Sequence, residues 1–294
     1  MKRWVVREAD ARSLARVLAL MGEVESAIAE GRVFLGRQRL SAERELSVGD
    51  EITVHTARAT TETASILFQG EGIVVADKPA SIPTISDHRG HEGTLVALVA
   101  RELGVDPSSL HPTSRLDRGV SGVVVFATTE PARDRLVTAR ENGKYARRYV
   151  AITATTHLVD NGVWREPIGR HARDARLRAA RGRDAVHAET RFKVVARTER
   201  AALLAITPIT GRTHQIRVHA SFAKAPLLGD VVYGGSARIT SKTGAIRELD
   251  RIALHCAWVR LLDEPPFASA LPEELREAWR ALGGTDDAWE WATL

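Results

Sequence analysis

Across residues 8–35, apolar side chains recur at helical spacing. Ala11, Leu14, Val17, Leu18 and Met21 fall three and four apart, which predicts a helix with Asp10 as its N-cap. Val24, Ala27 and Ile28 carry the period into a second short helix that stops near Gly31. Val33-Phe34-Leu35 and Ile52-Thr53-Val54 then read as short strands, the second entered through a Gly49-Asp50 turn. These elements make a small α+β module over residues 1–57. The Thr- and Ala-rich stretch 58–64 reads as a linker.

From residue 65 the pattern changes to short continuous apolar runs. Ile73–Ala76, Val123–Phe126 and Tyr149–Ile152 are buried-type strands, and Phe192–Ala196 and Ala202–Thr207 pair plausibly as antiparallel neighbours. Helices are predicted over 94–103, ended by Gly104, and over Glu130–Asn142. Strands dominate and hairpin spacings recur, so the expectation for 65–262 is an α+β domain on a mixed or antiparallel sheet. Between Arg170 and Arg183 stand six arginines and one aspartate in fourteen residues, a density that reads as a mobile surface arm. Residues 263–294 read as an acidic tail with a short helix.

With 44% hydrophobic and 27% charged residues, the 294-residue chain is not disordered as a whole. A single cysteine, Cys256, excludes an internal disulfide and a multi-cysteine zinc site. The opening MKRWVVREADARS has no apolar stretch for a signal peptide, and no run of about 18 apolar residues follows, so a cytoplasmic protein with no membrane span is expected. Charge is unevenly placed. Residues 1–57 are neutral, 131–220 carry net +11, and 261–294 carry net −6. The basic middle reads either as a polyanion site or as an arginine-rich solvated surface.

Two segments carry candidate chemistry. In Pro112–Gly122, Asp117 stands between Arg115 and Arg118 on a glycine-punctuated loop before a strand. A carboxylate among cations stays ionised, and loops on a rigid strand are where catalytic groups tend to sit. The alternative is a surface salt-bridge cluster. The second segment, TGRTHQIRVH at 210–219, follows a strand. Thr213 is expected to cap a short helix that places His214 and Arg217 one turn apart. His214 and His219 are five apart, the wrong spacing for a helical zinc pair, and no ligating Cys or Glu stands near. Neither metal nor cofactor is expected. Tyr149, inside an apolar strand, reads equally as core or as a base-stacking ring.

These segments resemble the RluA-type pseudouridine synthases. Arg115-Leu116-Asp117-Arg118 through Ser121-Gly122 resembles the family's catalytic motif, and TGRTHQIRVH is close to one of its signatures. Lys78-Pro79, Arg148-Tyr149-x-Ala151, Ala188-x-Thr190-x-Phe192, Pro226-Leu227-x-Gly229-Asp230 with Tyr233-Gly234, and Ala253-Leu254-His255 match in order. The resemblance covers roughly 65–262. It implies Asp117 as the catalytic aspartate, Tyr149 as the family's tyrosine, Arg217 as the arginine paired with the aspartate, and Arg115 as a substrate contact. Ser114, Arg147 and Val120 depart from the usual His, Lys and Thr. Residues 1–57 resemble the small alpha-L (S-four type) RNA-binding module, although Gly22-Glu23 stands where such modules place basic residues.

The implied reaction is the isomerisation of a uridine in structured ribosomal or transfer RNA, by a protein expected to be a monomer. Arg118, Arg212, His214 and Gln215 join Arg115 as expected RNA contacts, as do Arg173, Arg176 and Arg178 of the basic arm. A non-catalytic RNA-binding or assembly protein on the same scaffold is the runner-up. A glycosidase-like hydrolase would need a second carboxylate near Asp117, and Asp230, the only candidate in the motifs, reads as structural.

Overall fold

The computed structural model describes residues 2–8, 13–21, 26–29, 33–36, 38–40, 42–54, 64–86, 93–241, 246–261 and 264–293. The chain divides into two compact units, Met1–Thr60 and Thr61–Leu294.

In the first unit, helix Leu14–Leu20 starts one step later than the apolar period suggests. Ser13 is its cap and accepts the Arg16 N–H through its side chain. The expected cap Asp10, the stop near Gly31 and most of the linker 58–64 lie outside the described residues. Leu14, Val17 and Leu18 bury against Val33, Ile52 and Val54 of an antiparallel sheet, whose order is Lys2–Val5, Glu51–Val54, Val33–Leu35, Gln38–Arg39.

The second unit is built on one large sheet. Its principal strands are β1 (Ser65–Gly70), β2 (Ile73–Lys78), β3 (Ser121–Ala127), β4 (Tyr145–Thr153), β5 (Asn161–Trp164), β6 (Thr190–Arg197), β7 (Ala202–Pro208) and β8 (Leu254–Leu261). They lie in the order β5-β6-β7-β4-β8-β3-β2-β1. All these neighbours run antiparallel except β8 and β3, which are parallel, so the sheet is mixed and the fold is α+β. Gly122 makes that junction possible. Its φ is 114°, and any Cβ there would collide with the Cys256 carbonyl.

Side chains alternate across the sheet, as strand geometry requires. Tyr149, Ala151, Leu204 and Ile206 face one core with helices α1 (Leu95–Leu103), α2 (Glu130–Glu141) and α3 (Gln215–Phe222). Val150, Ile152 and Leu203 face the opposite core. There they meet α4 (Glu273–Ala281) and α5 (Ala288–Thr293), which bury Leu275, Trp279 and Trp289. Residues 264–293 are therefore not a tail. Their acids lie on the outer sides of helices whose apolar sides complete the sheet's second layer.

The expected mobile arm is also structured. Ile168–Arg170, Arg178–Ala180 and Arg183–Val186 form a three-stranded antiparallel sheet, with Ile168 and Ala180 packed against Val218 of α3 and Tyr233. Arginine density concealed this because the buried contacts come from Ile, Ala and Gly between the arginines. Among the described residues no helix is long and apolar enough to cross a membrane.

Candidate active site

Asp117 sits in the loop that leads into β3, and backbone contacts hold that loop on both sides. Thr84 Oγ1 accepts the Leu116 N–H and donates to the Leu116 carbonyl, both at 3.0 Å. The Arg118 carbonyl accepts the Ser81 N–H at 2.7 Å, and the Val120 N–H closes a turn onto the Asp117 carbonyl at 3.0 Å. The carboxylate is thus presented on a constrained turn, with 23% of its side chain exposed.

Its partner arrives from 100 residues later. Arg217 on α3 donates from Nη1 to Asp117 Oδ2 at 2.8 Å. The rest of the guanidinium forks onto Asp230, Nε to Oδ2 at 2.7 Å and Nη2 to Oδ1 at 2.8 Å. Asp230 is 1% exposed and Arg217 8%. Burial alone would discourage the charge on Arg217, but the Asp230 hydrogen bonds and the nearby Asp117 outweigh it, so its pKa lies above the ordinary value. A planar fork gripped on one edge has its remaining donor aimed in a fixed direction. Asp230 holds Arg217, and Arg217 holds Asp117.

His214 and Tyr233 complete the group. His214 caps α3 with φ 57°, a left-handed conformation, and makes no side-chain capping bond, so its imidazole is free to turn into the site. Its Nδ1 lies 2.7 Å from the Tyr233 hydroxyl, and its Nε2 lies 3.8 Å from Asp117 Oδ1. The Tyr233 oxygen accepts the Arg178 backbone N–H at 3.0 Å, leaving the phenolic proton for His214 Nδ1. Burial pulls the His214 pKa below its ordinary value against the opposing charge of Asp117, so the ring is neutral at pH 7. Its own proton then resides on Nε2, facing the carboxylate. Tyr233 also lies under the Arg217 guanidinium, 4.7 Å from ring centroid to Cζ.

The family described as RNA pseudouridylate synthase matches residues 72–222, a span holding Asp117, His214 and Arg217. The chain belongs to the RNA pseudouridylate synthase family. The ribosomal large subunit pseudouridine synthase D of Vibrio vulnificus (strain CMCP6) is 35% identical over 74% of this chain and 70% of its own. The protein of the same name from Vibrio cholerae serotype O1 is 30% identical over 86% and 84%. The solved structure of human RNA pseudouridylate synthase domain containing 1 shares the fold, with TM-score 0.60 and 20% identity over 81% of this chain and 97% of that one. The protein is an RNA pseudouridine synthase, an enzyme that isomerises uridine to pseudouridine.

In this synthase the sequence-expected residues fall into three groups. Asp117, Arg217 and His214 come together. Arg115, Arg118 and Arg212 are exposed beside them on the same two loops. Tyr149 faces the same core two strand positions beyond Arg147. It is 6% exposed beside Cys256, and burial pushes its phenol well above the ordinary range.

Other expectations need correction. Gln215 is a latch and not an RNA contact. Its Oε1 accepts from Thr210 Oγ1 and the Arg212 N–H, and its Nε2 donates to the Glu189 carbonyl and Thr190 Oγ1, which uses all its hydrogen-bonding capacity. Thr213 is not the cap of α3, because His214 occupies that position. Arg176 is paired with Asp174 at 2.8 Å, and Arg178 donates to the Ala175 and Leu177 carbonyls. Tyr233 was missed as a site residue. The only signal for it was its place in the matched Tyr233-Gly234 pair, since nothing local marks it as facing Arg217.

Proposed function

We propose that this synthase modifies large-subunit ribosomal RNA and that Asp117 is its catalytic carboxylate. The carrying observation is the Asp230–Arg217–Asp117 chain, which holds one partly exposed carboxylate in a fixed direction while the other is fully engaged. The rRNA target is supported by the similarity to ribosomal large subunit pseudouridine synthases, which match over more than two thirds of their length.

The reaction breaks the bond from ribose C1′ to uracil N1, turns the base, and joins C5 to C1′. C5 loses a proton and N1 gains one, so nothing enters or leaves overall and no cofactor is called for. A carboxylate suits a sugar that develops positive charge, as in glycoside hydrolysis, acting as nucleophile or as base. Asp230 is taken up by Arg217, which argues against a second, water-activating carboxylate and hence against hydrolysis. The target uridine must leave its stack to reach Asp117. Tyr149 is assigned to the wall against which the flipped uracil packs, with its phenol protonated. Arg115, Arg118, Arg212 and, beside the small sheet, Arg173 are assigned to RNA phosphates. Residues 1–57 are assigned to an accessory alpha-L module, and the enzyme to cytoplasmic action as a monomer.

The test uses ribosomal RNA from a strain lacking the gene. Wild-type enzyme restores pseudouridine at defined large-subunit positions, and Asp117→Asn restores none while keeping its fold and most RNA affinity. Modification confined to transfer RNA would overturn the target assignment. Conversion by the Asn variant at the normal rate would overturn the role of Asp117.

A further inference from the structure

Three arginines from two stretches of the chain come together at Gly211. A Cβ built on Gly211 would stand 3.0 Å from Arg140 Nη2 and 3.5 Å from Arg147 Nη1. Arg212 is the next residue and adds its charge to the field at Arg140. None of the three has a carboxylate partner among the described residues. Their anchors are carbonyls. Arg140 donates to Thr113, Arg147 to Thr210 and Pro208, and Arg212 to His187.

Arg147 is the base of this group. It is 7% exposed, and its Nε is buried with no hydrogen-bond partner. A buried, unpartnered donor on a charged side chain is costly, as is a cluster of like charges. An anion over Gly211 would offset the charge of the cluster, the Arg147 Nη atoms being the ones that face it. The ring of Tyr145 holds two of the cations in place, with Arg140 and Arg147 at 5.5 and 5.8 Å from its centroid. Arg140 and Arg212 are exposed, so the group opens to solvent above its buried base.

We infer that Arg140, Arg147 and Arg212 form a phosphate subsite over Gly211 that grips the RNA backbone beside the uridine held at Asp117. The inference rests on the reading of Asp117 as the reaction centre. Arg147 and Tyr149 share a strand face about 7 Å apart, and Gly211 precedes His214 by three residues, so the subsite borders the pocket assigned to uracil. Phosphate is the anion of choice here. Three guanidiniums supply forked donors from different directions, which suits a tetrahedral group with several acceptor oxygens. Glycine at 211 keeps the space between them open.

Binding of unmodified large-subunit ribosomal RNA, measured against salt, tests the subsite without relying on turnover. Arg140→Gln with Arg212→Gln, both exposed and tolerant of change, should weaken binding at least tenfold and flatten the log affinity against log salt slope by about 1.4–1.8 for two lost phosphate contacts. The corresponding double Lys variant should keep the slope within about 0.3 of wild type, since it retains the charges. Gly211→Ala should raise KM more than it lowers kcat. Thermal melting confirms that each variant is folded. A Gln variant with the wild-type slope, or a Lys variant as flat as the Gln variant, would overturn the subsite. A wild type that binds this RNA with the expected slopes but converts none of its uridines would overturn the target assignment and leave the subsite standing.

Discussion

Two arginine-rich regions differ in what their charges are free to do. The small sheet at 168–186 packs six arginines into fourteen residues. Much of that charge is already met locally. Arg176 lies on Asp174, Arg181 lies on Glu166 at 2.7 Å, and Arg178 is turned onto its own loop's carbonyls. The region of Asp117 draws its arginines from positions 115, 118, 140, 147, 212 and 217. There, among the described residues, only Arg217 is neutralised by acids, and it is buried. Charge that is dense along the chain is not the same as charge that is available in space.

The strongest way to sharpen this contrast is to remove the acid from one ion pair in each region. Asp230→Ala should lower unfolding free energy by about 3–5 kcal/mol, because it leaves the Arg217 charge buried and half paired. Asp174→Ala, which removes the acid from exposed Arg176, should leave the urea midpoint unchanged. Equal midpoints for the two variants would break the distinction. A smaller effect is expected from Tyr233→Phe, which keeps the ring under Arg217 but removes the hydroxyl bridging His214 and the Arg178 N–H. It should lower kcat with little change in KM, at a stability cost of about 1–3 kcal/mol. An unchanged kcat would remove Tyr233 from the group that orients Asp117. The smallest effect belongs to the small sheet. Replacing Arg173, Arg176 and Arg178 with Gln should flatten the salt slope by about 0.7–0.9, as for a single contact, since only Arg173 lacks a local partner. A loss of two units or more would return the main phosphate grip to this sheet.

Legibility along the chain follows the range of the interactions. Helices 94–103 and 130–142 were readable to within a residue because their caps, Thr94 and Thr129, and the terminator Gly104 act locally. The antiparallel pairing of 192–196 with 202–207 was readable from its short connection. The Asp117–Arg217 contact spans 100 residues, and only the resemblance of both motifs to one family brought it forward. Asp230 reads from the sequence as structural, but its grip on Arg217 has no local sign. His214 as a left-handed cap defeats the usual rule, which favours Thr213. The C-terminal helices were misjudged because their acids dominate composition, whereas two buried tryptophans decide where they pack.

That packing gives the molecule an electrical polarity. The segment with net −6 is anchored behind the sheet, while Arg140, Arg147 and Arg212 stand with the core on the opposite side. A polyanion approaching the catalytic unit from behind meets repulsion, and one approaching the side of Arg140, Arg147 and Arg212 meets attraction. This separation of charge exerts a torque on the encounter, turning the unit so that its basic side leads before any contact forms. Association should be faster than random orientation allows at low ionic strength, and this advantage should fade as added salt shortens the reach of the field.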